Sequence, residues 1–132
     1  MFVLERKYAD EIIAQAREEA PNECCGILAG RDRVEKLFRA INAEKSAYRY
    51  NVHPHDLKRI YDECEANGWD FVAIYHSHTH SEAYPSPTDV SLAAWPDATY
   101  IVVSLTHPEK PVLRAFRIQD GHVSEEELQI EG

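Results

Sequence analysis

Residues 71–89 read FVAIYHSHTHSEAYPSPTD. The first five, Phe71–Tyr75, form a β-branched and aromatic run that predicts a buried strand. An extended chain alternates its faces, so His76, His78 and His80 share one side if the strand continues that far. Ser86-Pro87-Thr88-Asp89 has the form of a helix start running to about Ala94: serine at the N-cap, proline at the first helical position, a carboxylate in the first turn. Each half has a plain structural reading. Histidines at a strand end make polar surface, and Asp89 is favoured beside a helix N-terminus with no ligand at all. Together they have another. Two imidazoles from one strand face and a carboxylate from a following helix can hold one divalent cation, leaving a fourth position for water. Ten residues separate His78 from Asp89, enough for a loop that brings the helix back beside the strand end. Spacing leaves open whether His76/His78 or His78/His80 is the pair.

Working outward, Tyr8, Ile12, Ile13, Ala16 and Ala20 recur at helical spacing until Pro21-Asn22 stops the helix. Cys24–Ala29 is an apolar run that predicts a strand, with a hairpin turn at Gly30-Arg31-Asp32 and a partner strand over Val34–Ala40. Tyr48–Val52 is a further strand candidate. Pro54–Asn67 carries a stripe of Leu57, Ile60, Tyr61 and Cys64 and is closed by Gly68, which predicts a second helix. Tyr100–Leu105, Val112–Ile118 and His122–Ile130 complete the strands, the last two joined by a turn at Asp120-Gly121. The expectation is a mixed α/β fold, a central sheet with helices packed on it.

The chain has 132 residues, 44% of them hydrophobic, which fits one domain over residues 1–132 with a core of its own. Its net charge of −9 repels phosphate backbones and argues against nucleic acid as a partner. No apolar run approaches the roughly 20 residues that span a bilayer, and the N-terminal MFVLERKYADEII lacks a signal-peptide core, so no membrane partner and a cytoplasmic location are expected. The three cysteines, Cys24, Cys25 and Cys64, include no Cys-x-x-Cys pair and are read as free thiols.

His76, His78, Ser86 and Asp89 resemble the signature of the JAMM (MPN+) metalloprotease family: His-x-His, ten residues, then Asp, with Ser three positions before it. Small prokaryotic members also carry a glutamate in a Pro-x-Glu-x-Cys-Gly run after the first helix, and Pro21-Asn22-Glu23-Cys24-Cys25-Gly26 stands in that place. The resemblance covers nearly the whole chain and implies the MPN fold, which is cytidine-deaminase-like, with a central mixed sheet flanked by helices. It selects His76 and His78 over His80, and implies that His76, His78 and Asp89 bind Zn²⁺. By the same resemblance Glu23 is the general base and acid, and Ser86 donates a hydrogen bond to the oxyanion. Family members hydrolyse the amide bond after the C-terminal Gly-Gly of ubiquitin or a ubiquitin-like protein. The short chain resembles those acting on ubiquitin-like sulfur-carrier proteins, either as a carrier–cysteine adduct, a fusion or a lysine conjugate. A monomer or a homodimer fits such an enzyme. Two alternatives stand beside this reading: a metal-dependent peptidase for another substrate such as a cell-wall peptide, and a non-enzymatic scaffold domain stabilised by metal. Outside the pattern, His53, His55, His107 and His122 are read as surface, His80 as lining the cleft or facing water, and Trp69, Tyr75 and Trp95 as core.

Overall fold

Six strands form the main sheet of the computed structural model, which describes all residues from Met1 to Gly132. In chain order the elements are β1 (Phe2–Glu5), α1 (Arg6–Glu19), β2 (Cys25–Gly30), β3 (Val34–Ala40), α2 (Pro54–Asn67), β4 (Asp70–His78), α3 (Pro87–Leu92), β5 (Thr99–Ser104), β6 (Val112–Gln119), β7 (His122–Glu126) and β8 (Leu128–Glu131). The large sheet runs β3-β2-β4-β5-β6-β7, and β1 and β8 pair separately. Only β4 and β5 are parallel within the large sheet; its other neighbours are antiparallel, so the sheet is mixed.

Alternation along β4 builds a core on each face of the sheet. Ala73 and Tyr75 point toward α1 and join Leu4, Ile12, Ala16, Leu28 and Val103. Ile74 points the other way, toward α2, and joins Ile27, Ile60, Cys64 and Tyr100. The helix stripes read from the sequence are the faces that supply these contacts. Gly68, at φ 68°, ends α2 in the left-handed conformation. Asp120 and Gly121 both take positive φ in the turn between β6 and β7, the mirror-image turn whose twist suits a two-residue hairpin loop. All three cysteines are buried and free, and no helix is long and apolar enough to cross a membrane.

The structure departs from the sequence reading at four places. Residues 48–52 do not form a strand; a single bridge joins Asn42 to Val52. The expected strand over His122–Ile130 is two strands, broken at Glu127, because its second half leaves the large sheet to pair in parallel with β1. β1 itself went unread: it is four residues long and its partner lies at the other end of the chain. The α3 helix also ends at Leu92 rather than near Ala94.

Candidate metal centre

The antiparallel register of β2 and β4 decides where Glu23 falls. Cys25 stands opposite His76. Beyond the ladder, the Cys24 amide donates to Ser77 Oγ (2.7 Å) and the Ser77 amide donates to the Cys24 carbonyl (3.1 Å). Two residues before Cys25, Glu23 is therefore level with His78 and turned into the same space. The Glu23 backbone is fixed as well, its amide donating to the Ser46 carbonyl at 2.8 Å.

Asp89 reaches that space from the crossover that joins β4 to β5. Ser86 is the N-cap of α3, and its Oγ accepts from the Asp89 amide at 3.0 Å. In return the Ser86 amide donates to Asp89 Oδ2 at 2.9 Å. This capping box fixes the carboxylate on a helix too short to hold itself.

Three donor atoms converge at the end of β4. His76 Nε2 lies 3.1 Å from His78 Nε2, and Asp89 Oδ2 lies 3.0 Å and 2.9 Å from those two nitrogens. With one Glu23 carboxylate oxygen, the four atoms lie within 4.8 Å of one another, and all four residues are buried. Ligand atoms arranged tetrahedrally at about 2.0–2.1 Å from a zinc ion sit about 3.3 Å apart, close to this triangle. His80 is outside the group: it is exposed and stacks on Tyr48, with ring centroids 5.5 Å apart. Among the other histidines, His53 caps α2 by accepting from the His55 amide, and His107 and His122 are exposed. Tyr75 is core, whereas Trp69 and Trp95 are half-buried.

The charges and tautomers require a positive charge, proton or cation, between these atoms. His78 Nδ1 lies 2.8 Å from the Glu82 carbonyl, which only accepts, so Nδ1 carries a proton. A neutral His78 then aims the lone pair of Nε2 at an Asp89 oxygen and at His76 Nε2. Either a second proton or a metal ion must separate them. Burial opposes a charge on His78, but the Asp89 carboxylate and the Glu82 carbonyl outweigh it and hold its pKa above the ordinary value. Burial dominates at His76 and lowers its pKa. Burial alone would raise the Asp89 carboxyl; the two imidazoles and the Ser86 amide overcome this and hold it well below the carboxylate range. Glu23 is the opposite case. Burial pushes its carboxyl up to about 8, with Asp89 adding to the rise and His78 opposing it. Its Oε1 is buried with no hydrogen-bond partner. A buried acceptor left without a protein donor, beside two imidazoles and a second carboxylate, fits a donor set that holds a cation and its water.

The sequence reading missed Tyr50. Its ring stacks on His76, with centroids 4.2 Å apart and planes 17° apart, and so walls the buried imidazole from one side. Nothing local marks it, because it lies in the connection between β3 and α2. A cavity of about 390 Å³ opens beside Glu23, lined by Asn22, Ile41, Asn42 and Lys45 among others. A larger one, about 520 Å³, lies between the chain termini and the start of β4 and contains none of the clustered donors.

A mixed sheet with this donor set at the end of its central strand is a JAMM-type arrangement, and the chain belongs to the family of prokaryotic homologs of the JAB domain, which it matches over residues 5–119. It is similar to the CysO-cysteine peptidase of Mycobacterium tuberculosis, 40% identical over 98% of this chain and 91% of that protein. It is also similar to the desampylase of Haloferax volcanii, 35% identical over 72% of this chain and 74% of that protein. Among solved structures, a protein from Desulfitobacterium hafniense superposes with a TM-score of 0.89 at 34% identity, covering 99% of this chain and 93% of its own. A JAB1/MPN domain protein from Archaeoglobus fulgidus shares the fold, with a TM-score of 0.66 at 20% identity over the full length of both chains. The expected MPN architecture is thus the observed one.

Proposed function

We propose that the 132 residues act as one catalytic domain, a zinc-dependent peptidase that hydrolyses the amide bond after the C-terminal Gly-Gly of a ubiquitin-like sulfur-carrier protein. The observation that carries the reading is the convergence of His76, His78 and Asp89 on one point, with the unpartnered Glu23 carboxylate beside it. The two relatives named above support the substrate class, since a CysO-cysteine peptidase and a desampylase both take their names from protein-linked substrates.

His76 Nε2, His78 Nε2 and Asp89 Oδ2 would hold the ion. Two imidazoles and a carboxylate suit Zn²⁺, and bound there it supplies Lewis acidity that lowers the pKa of water and polarises a carbonyl. The chain's own residues do the rest. Glu23 takes a proton from the attacking water and passes it to the departing amine, a role that suits a carboxyl whose pKa burial has raised toward neutrality. Ser86 Oγ uses a lone pair to accept from the Asp89 amide, which leaves its O–H free to donate to the developing oxyanion. Tyr50 and the buried sheet end keep bulk water from His76.

The test is incubation with a ubiquitin-like carrier whose terminal glycine is amide-linked to cysteine, followed by mass spectrometry. Cleavage is expected after the terminal glycine, lost with chelator and restored by stoichiometric zinc. Turnover that survives complete metal removal overturns the mechanism. A carrier–lysine conjugate and a carrier fusion, run alongside, determine which amine leaves.

A further inference from the structure

We infer that Asn42 is a positioning residue for the proposed hydrolysis, holding Glu23 in place from a connection that contributes no ligand. The inference rests on the peptidase reading above. Asn42 is 4% exposed, yet all four of its side-chain hydrogen-bonding sites are filled. Its Nδ2 donates to the Glu23 carbonyl and to the Arg49 carbonyl, both at 3.0 Å. Its Oδ1 accepts from the Glu44 and Asn51 amides, also at 3.0 Å. Three of these bonds close the 42–51 connection on itself, and the fourth leaves it to grip Glu23.

The grip is two-sided. The Glu23 amide donates to the Ser46 carbonyl, so both backbone polar groups of Glu23 are tied to the same connection. This matters because Glu23 lies before the first ladder residue of β2 and gains no sheet hydrogen bond of its own. The connection also carries Tyr50, which stacks on His76. One side chain therefore ties the proton carrier and the wall of a metal ligand into a single unit. The nearest substitutes fall short of these four bonds. Aspartate of the same shape has no donors, leucine has neither donors nor acceptors, and glutamine is one methylene too long. The backbone around it is tight as well: Lys45, whose amide donates to the Asn42 carbonyl, takes a positive φ of 46°.

Asn42→Asp keeps the two accepted bonds and loses the two donated ones; Asn42→Ala loses all four. With the carrier–cysteine adduct, Asn42→Asp is expected to lower kcat about 100-fold while KM stays within about twofold, the scale of misplacing a catalytic group by about 1 Å. The d–d spectrum of the cobalt-substituted variant is expected to match that of the parent, since no ligand moves. The decisive arm is a double-mutant cycle. If Asn42 acts through Glu23, Asn42→Asp slows Glu23→Gln no further; a full second loss in the double variant overturns the inference. Amide hydrogen exchange on the zinc-loaded protein tests the clamp without any substrate. In both variants the Glu23 amide is expected to exchange at least tenfold faster while Ile27 in β2 is unchanged. Unchanged protection at Glu23 overturns the inference, even if no carrier proves to be a substrate. Failure of the parent to cleave the adduct, with the exchange result as expected, overturns the functional reading alone.

Discussion

Glu23 and Asp89 are two carboxyls in one buried site whose surroundings drive their pKa values apart, Glu23 up and Asp89 down. Asp89 stays ionised among donors. Glu23, without a donor, reaches about 8, so in the metal-free protein it is mostly protonated at neutral pH. A carboxyl whose pKa is higher folded than unfolded adds stability that is fully present below about 4.3 and lost as pH rises through about 8. Glu23 is therefore expected to pull the melting temperature of the metal-free protein down between pH 5 and pH 8, together with His78 and against His76, whose lowered pKa acts the other way. Glu23→Gln, which cannot ionise, flattens that slope; equal slopes in thermal scans of the two proteins contradict the assignment. The same variant with zinc bound is expected to lose about 10²–10⁴ in kcat, the usual contribution of a positioned acid–base group, with metal content unchanged by elemental analysis.

At the scale of elements, the site is the meeting of one strand register and one helix cap. Gly26 in β2 has a ring of Tyr75 where a side chain would go: an added Cβ falls 2.2 Å from Tyr75 Cζ. Tyr75 is fully buried and tied to Gln15, so it cannot swing away. Gly26→Ala is expected to destabilise by about 1–3 kcal/mol, read by denaturant unfolding, and to misalign Glu23 against His78 by shifting β2. Ser86→Ala removes a cap worth about 1 kcal/mol and, on the proposed role, an oxyanion donor worth about 10²–10³ in kcat. Ser86→Thr keeps a hydroxyl and is expected to recover most of the stability; activity that follows stability in both variants, with no separate kcat loss in Ser86→Ala, leaves Ser86 as a cap only. Elements of this kind were legible in advance. The bounds of α2 follow from Pro54, its apolar stripe and Gly68; the strand end followed by Ser-Pro-x-Asp marked the cap and a candidate donor set, but left two histidine pairs open until the family resemblance chose His76 and His78. What escaped reading depends on partners distant in sequence. β1 needs β8 to exist, and the break at Glu127 follows from that pairing. Tyr50 and Asn42 sit in an irregular connection whose hydrogen bonds run to Glu23 and to its own backbone, with no periodicity to betray them. Donors on one strand can be narrowed by spacing to a shared face; groups brought up by a connection leave no such trace.

At the scale of the whole molecule the question is whether the ion holds the fold together or only arms it. The two larger hydrophobic clusters lie on opposite faces of the sheet and are built from apolar side chains alone. Asp89 is anchored by its own capping box, Glu23 by the 42–51 connection, and His78 by the Glu82 carbonyl. Each ligand-bearing segment thus has protein contacts that persist without a metal. This differs from a small zinc-built domain, where removing the metal removes the core. Chelation is therefore expected to leave the far-ultraviolet circular dichroism and the cooperative melt intact while abolishing turnover. Free zinc at about 100 times its dissociation constant should restore about 2.7 kcal/mol, a rise of about 10 °C in a chain of this length. The rise should shrink as pH falls, because protons compete for His78, whose pKa the Asp89 carboxylate and Glu82 carbonyl hold up, and ligands must be deprotonated to bind. Unfolding on chelation at room temperature, with no adduct turned over by the zinc form, would instead identify the ion as a structural staple and the chain as a scaffold.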